Sequence, residues 1–182
     1  MRLFVALSCP EEIRSKLVSV HKELSGVGLL RVVKEENIHL TLKFLGETSK
    51  QAMDELMDTL SVIESVRKFV VKVAGIGVFP TIKNPKVIWA GVEKGRDEII
   101  RLQVCIESCL KELGYKKDDR FHPHYTLARI KRLDQKDQLK TLVKSKKREF
   151  GEYEVTNFQL IESTLGPRGP IYSVVEEFKL FD

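Results

Sequence analysis

The sequence predicts an α+β fold of mainly antiparallel sheets with helices packed outside, built as a duplicated unit with pseudo-twofold symmetry. Three observations carry this. Strand and helix signals follow one another without the regular strand–helix–strand order that a parallel sheet requires. The segment from Ile38 alternates strictly between apolar and polar residues, the period of a half-buried strand. The tetrapeptide His39-Leu40-Thr41-Leu42 returns as His124-Tyr125-Thr126-Leu127, 85 residues later and in similar surroundings.

The elements read in order as follows. Leu3 to Leu7 is a first strand, and Pro10 opens a helix whose apolar residues Ile13, Leu17, Val20 and Leu24 recur at helical spacing before Gly26. Leu29 to Val33 is a short strand, followed by the strand Ile38–Leu45. A helix from Ser49 to Arg67 carries the stripe Met53, Leu56, Leu60 and Ile63, with Ser49 as its cap. Strands at Phe69–Val78 and Lys86–Val92 flank a loop from Pro80 to Pro85. A helix over Arg96–Leu113 is closed by Gly114. After a charged loop come a strand from His124 to Ile130 and a helix over Gln135–Lys144. Two last strands, Tyr153–Ser163 and Tyr172–Phe181, are separated by the turn Gly166–Pro170.

A chain of 182 residues fits one large domain or two small lobes sharing a core. Its 42% hydrophobic and 31% charged residues exclude the disordered and fibrous classes. No apolar run approaches the roughly 18 residues of a membrane span. The opening Met1–Leu7 reads as a strand rather than a signal peptide, so a cytoplasmic protein is expected, and a monomer. Three cysteines, Cys9, Cys105 and Cys109, do not make a disulfide framework, and the pair Cys105 and Cys109, four apart on one helix face, is expected to be small buried hydrophobes. The net charge of +5 is uneven: nine Lys and Arg lie between Arg129 and Arg148. That stretch suits either a polyanion or a solvated helix face.

The repeated tetrapeptide points to chemistry. With a period of two, each copy sends His and Thr to one face and its apolar pair into the core. Pseudo-symmetry then brings two imidazoles and two hydroxyls together across a cleft. Imidazole suits both a base for an attacking water and an acid for a leaving oxygen, because its pKa of about 6.5 lies near working pH. The hydroxyls of Thr41 and Thr126 can hold the non-bridging oxygens of a phosphodiester. Neither motif contains a carboxylate, so no metal and no cofactor is expected. Lys43 shares the strand face of His39 and Thr41 and is expected as a phosphate contact. His21 reads as a helix-surface residue and His122, beside Pro123, as a rim residue. Phe44 and Trp89 could stack on a base, but are expected in the core.

These motifs resemble the two-histidine phosphoesterase superfamily, and within it the RNA 2′,3′-cyclic phosphodiesterase branch, also called 2′-5′ RNA ligase. The resemblance runs from Met1–Leu7 through His39–Gly46 and Phe121–Arg129 to Glu162–Leu165 and Gly169–Tyr172. It implies a bilobal fold with the two His-x-Thr strands lining a central groove. It also implies metal-independent opening of 2′,3′-cyclic phosphates at RNA ends, including those of tRNA fragments. His39 would be the acid toward O3′ and His124 the base on water. The resemblance adds Arg129 as a phosphate contact, although an unbroken strand would turn it away; a bulge near Ala128 would re-aim it. RNA ligation in the same groove, a non-catalytic RNA-binding module, and action on small cyclic phosphates are the alternatives.

Overall fold

The computed structural model describes all residues except 64, 65, 119, 145–147 and 168. Nine strands and four helices are present among the described residues: β1 (Arg2–Ser8), α1 (Glu11–Leu24), β2 (Gly28–Val32), β3 (His39–Glu47), α2 (Lys50–Ser61), β4 (Phe69–Thr81) and β5 (Asn84–Lys94). There follow α3 (Arg96–Glu112), β6 (His124–Leu133), α4 (Lys136–Lys144), β7 (Glu149–Val155), β8 (Asn157–Gly166) and β9 (Gly169–Lys179). No helix among them is long and apolar enough to cross a membrane. The α+β expectation holds.

The helices begin and end where local chemistry dictates. Ser49 accepts a hydrogen bond from the Ala52 amide and caps α2. Gly114, with φ of +81°, ends α3 as its amide turns back to the Lys111 carbonyl and that of Tyr115 to Leu110. The helix expected to reach Arg67 ends at Ser61; part of that stretch lies outside the described residues.

All strand pairs named above are antiparallel, in two sheets ordered β3-β1-β8-β9 and β2-β6-β5-β4-β7. The run read as one strand from Tyr153 to Ser163 is two: β7 closes the second sheet, and after Thr156 the chain crosses to the first as β8. The loop expected between Pro80 and Pro85 is the tip of a hairpin, where the two prolines pair as strand ends. Prolines there forfeit no interior ladder bond.

One hydrophobic cluster joins both sheets to all four helices, with Leu7, Leu40, Ile88, Tyr125 and Leu127 from the strands and Leu17, Leu56, Ile106 and Leu139 from the helices. A small separate cluster of Phe4, Ala6 and Ile161, joined by Tyr172, lies on the other face of the first sheet. Cys9 is buried, whereas Cys105 and Cys109 are only half-buried against the core.

The duplication extends to strand register. In the first sheet Ser8, Leu7, Ala6, Val5 and Phe4 oppose His39, Leu40, Thr41, Lys43 and Phe44. In the second, Gly91, Ala90, Trp89, Ile88 and Val87 oppose His124, Tyr125, Thr126, Ala128 and Arg129. Each ladder skips one residue at the same place, Leu42 in one and Leu127 in the other. These are matched β-bulges directly after the His-x-Thr segments.

Candidate active site

Strand β3 of the first sheet packs beside β6 of the second, and the two His-x-Thr segments meet along that seam. His39, Thr41, His124, Thr126 and Arg129 all line one cavity of about 300 Å³. Arg31, Lys34, Asn37, Phe44, Pro170 and Tyr172 stand in its wall beside Val32 and Val33.

Both imidazoles are fixed the same way. His39 donates from Nδ1 to the Asn37 carbonyl at 2.8 Å, and His124 from Nδ1 to the His122 carbonyl at 2.6 Å. A carbonyl only accepts, so Nδ1 carries the proton in each ring and Nε2 is left for the cleft. The Thr41 hydroxyl donates to His39 Nε2 at 2.9 Å. An aromatic edge packs on each ring: Tyr172 on His39 at 5.3 Å and Phe79 on His124 at 5.0 Å between centroids.

Burial lowers both pKa values. That of His39 is pushed down to about 4, against its bond to Asn37 and with some help from His124. Burial also holds His124 below the ordinary value, its bond to His122 opposes this, and the Arg129 charge adds to it. Both rings are therefore neutral near pH 7. Tyr172 feels Arg129, Arg31 and Arg2, whose charges oppose the upward push of burial on its phenol.

The bulges decide which neighbours join the site. Beyond Leu127 the alternation of β6 flips, and Arg129 turns into the cavity as the re-aiming argument required. The matching flip at Leu42 corrects the expectation for Lys43. Its side chain is 3% exposed, and its ammonium is bound by Glu107 at 2.9 Å, Asp118 at 3.2 Å and the Lys116 carbonyl at 2.5 Å. All three donors are taken within the protein, which leaves none for the phosphate that the spacing assigned to Lys43. Phe44 takes the face that Lys43 was expected to hold, and it is 68% exposed in the cavity wall rather than in the core.

Trp89 also leaves the core. It packs at a tilt against Phe79 and His122, each at 5.0 Å between ring centroids, and stands 6.3 Å from His124. Gly77 makes room for it, since a Cβ there would lie 2.2 Å from the indole. His122 accepts from Arg96 at 3.2 Å and, with Thr41, Phe44, Lys117, Arg120 and His124, borders a second, more open cavity of about 670 Å³. His21 is no plain surface residue: its Nε2 lies 3.2 Å from the Leu127 carbonyl.

Four members of the basic stretch are engaged within the protein. Arg132 pairs with Asp134, Lys140 with Asp137 and Arg148 with Glu23, while Lys136 donates to the Lys83 carbonyl. Lys146 and Lys147 lie outside the described residues.

The sequence reading missed Tyr172, Arg31, Lys34 and Asn37 as wall residues. A signal existed for Asn37. It stands two residues before His39 as His122 stands two before His124, which aligns both carbonyls with a ring on the same strand face.

Two antiparallel sheets meeting at paired, backbone-anchored imidazoles define a phosphoesterase of the two-histidine type. The chain belongs to the LigT-like phosphoesterase family, whose model matches it in two consecutive stretches, residues 7–89 and 91–172. It is 38% identical over 180 residues to an RNA 2′,3′-cyclic phosphodiesterase of Archaeoglobus fulgidus, covering 98% of this chain and all of the relative. An enzyme of the same name from Aquifex aeolicus is 37% identical over 183 residues, 99% of this chain and 97% of its own. Among solved structures, a Thermus thermophilus protein superposes with a TM-score of 0.81 at 30% identity, covering 98% of this chain and 97% of the other. Escherichia coli LigT in complex with 3′-AMP gives 0.79 at 26%, covering 100% and 98%.

Proposed function

We propose that this chain hydrolyses 2′,3′-cyclic phosphates at RNA ends to 2′-phosphates, with His39 and His124 as its acid–base pair. The carrying observation is the pair of rings whose Nδ1 atoms are tied to backbone carbonyls while both line one small cavity with two hydroxyls and a guanidinium. The names of the relatives, and the nucleotide bound to E. coli LigT, support the same substrate class.

The cyclic phosphate anion enters beside Arg129, and its charge raises the two depressed imidazole pKa values so that one ring takes a proton. Thr41 and Thr126 donate to the non-bridging oxygens, where charge builds as phosphorus becomes five-coordinate. Water attacks phosphorus, its proton passes to the Nε2 of one histidine, and the P–O3′ bond breaks. The other histidine delivers a proton from Nε2 to O3′, leaving a 2′-phosphate and a 3′-hydroxyl. We assign the water side to His124, which also borders the second, open cavity, and the O3′ side to His39, enclosed by Phe4 and Tyr172. Phe44 and Tyr172 would flank the terminal base.

The test is hydrolysis of a 2′,3′-cyclic mononucleotide in excess chelator. Wild type turns over, and His39→Ala and His124→Ala each lose at least about a hundredfold in kcat. Complete loss of wild-type activity in chelator overturns the mechanism, and inertness on longer cyclic-phosphate RNA as well overturns the activity.

The open cavity beside His124, with Lys117 and Arg120 on its wall, favours a second reading. A strand end presenting a 5′-hydroxyl could replace water there, giving a 2′-5′ linkage. Product analysis with paired tRNA halves separates the two reactions.

A further inference from the structure

We infer that His21 is a positioning residue for phosphate binding: from α1 it latches the β6 bulge that aims Arg129 into the cleft. The inference rests on the phosphoesterase reading for its kinetics, though not for its binding test.

Leu127 is the extra residue of the β6 bulge against β5, so its carbonyl sits where the alternation of the strand changes. Two donors hold that carbonyl, the Val33 amide at 2.8 Å and His21 Nε2 at 3.2 Å. His21 is half-buried, and burial keeps its pKa below the ordinary value, so it serves as a neutral donor. Two residues on, Arg129 lines the cavity and acts on both His124 and Tyr172.

The other half repeats the device with different chemistry. Ile13, Val20 and Leu24 of α1 correspond at one constant offset to Ile99, Ile106 and Leu110 of α3, all buried, and at that offset His21 corresponds to Glu107. Glu107 reaches the β3 bulge, where it binds Lys43, the residue after Leu42. Each helix therefore secures the bulge of the other half's His-x-Thr strand. A solvated side chain would have no reason to recur at that position with a partner at the matching bulge.

The experiment compares His21→Leu, which removes the donor, with His21→Gln, whose amide can still donate to a carbonyl. Readouts are KM and kcat on a 2′,3′-cyclic mononucleotide, and the Kd of inorganic phosphate by calorimetry. His21→Leu is expected to raise KM and the phosphate Kd by roughly three- to tenfold, the range of one lost hydrogen bond, with kcat within about twofold. His21→Gln restores both. In an Arg129→Ala background His21→Leu adds nothing further, because the group it positions is gone. Unchanged phosphate affinity in His21→Leu, or full additivity with Arg129→Ala, overturns the inference. If wild type fails to turn over the nucleotide, the activity proposal fails separately, and the phosphate Kd still decides the latch.

Discussion

An imidazole tied by Nδ1 to a carbonyl and held neutral by burial is set to receive a proton together with its ligand. Inorganic phosphate binding near pH 7 should therefore take up protons, visible as a dependence of the calorimetric heat on the buffer's ionisation enthalpy. His39→Gln should reduce that uptake. The same depression sets the sign of acid stability. His39 titrates at about 4 when folded and near the ordinary 6.5 when unfolded, so its neutral form contributes stability above about 6.5. That contribution falls away as pH drops through the window down to about 4. A melting temperature no lower at pH 4.5 than at 7, or no flatter a pH profile in His39→Gln, would contradict this. Phe44 makes a separate prediction. Phe44→Ala should raise KM for a cyclic nucleotide about tenfold, the scale of one base–aromatic stack, while leaving the inorganic phosphate Kd unchanged.

At the scale of the strand, the sequence reveals the site as far as the alternation runs and loses it where the bulges begin. His39, Thr41, His124 and Thr126 obey the period of two, so their common face could be read directly. Leu42-Lys43 and Leu127-Ala128 carry no glycine or proline to mark the inserted residue, so the flip that follows was invisible. Arg129 was placed only because the resemblance asked for a bulge. Applying that bulge to the first copy would have sent Lys43 inward and Phe44 outward. The merged Tyr153–Ser163 strand failed for a similar reason, since the chain changes sheets at Thr156 without a glycine or proline. Because Lys43 and Glu107 form a buried pair, Lys43→Ala should cost roughly 3–5 kcal/mol of stability, measured by denaturant unfolding. A stable Lys43→Ala protein that has lost kcat as severely as His124→Ala would instead return Lys43 to the site. Gly77→Ala should displace the single indole, Trp89, shifting its fluorescence emission and lowering kcat/KM through His122 and His124.

In the molecule as a whole, the two halves are interlocked through their strands. The first half contributes β4 to the second sheet, where it lies between β5 and β7, and the second half contributes β8 to the first sheet, between β1 and β9. Residues 1–83 expressed alone should therefore fail to fold as a monomer, as judged by size-exclusion chromatography and circular dichroism. The piece would carry β4 without either neighbour and β1 without β8. Its natural remedy is a second copy of itself, each lending β4 to the other, with the groove lying on the axis between them. Such a pair would have identical walls, two Phe44 side chains facing each other, or two Arg129 if built from the other half. A symmetric groove offers two base platforms or two phosphate clamps but not one of each. Joining both halves in one chain is what allows the walls to differ, so that, on the proposed function, a nucleotide with a base at one end and a phosphate at the other would meet a groove with the same polarity.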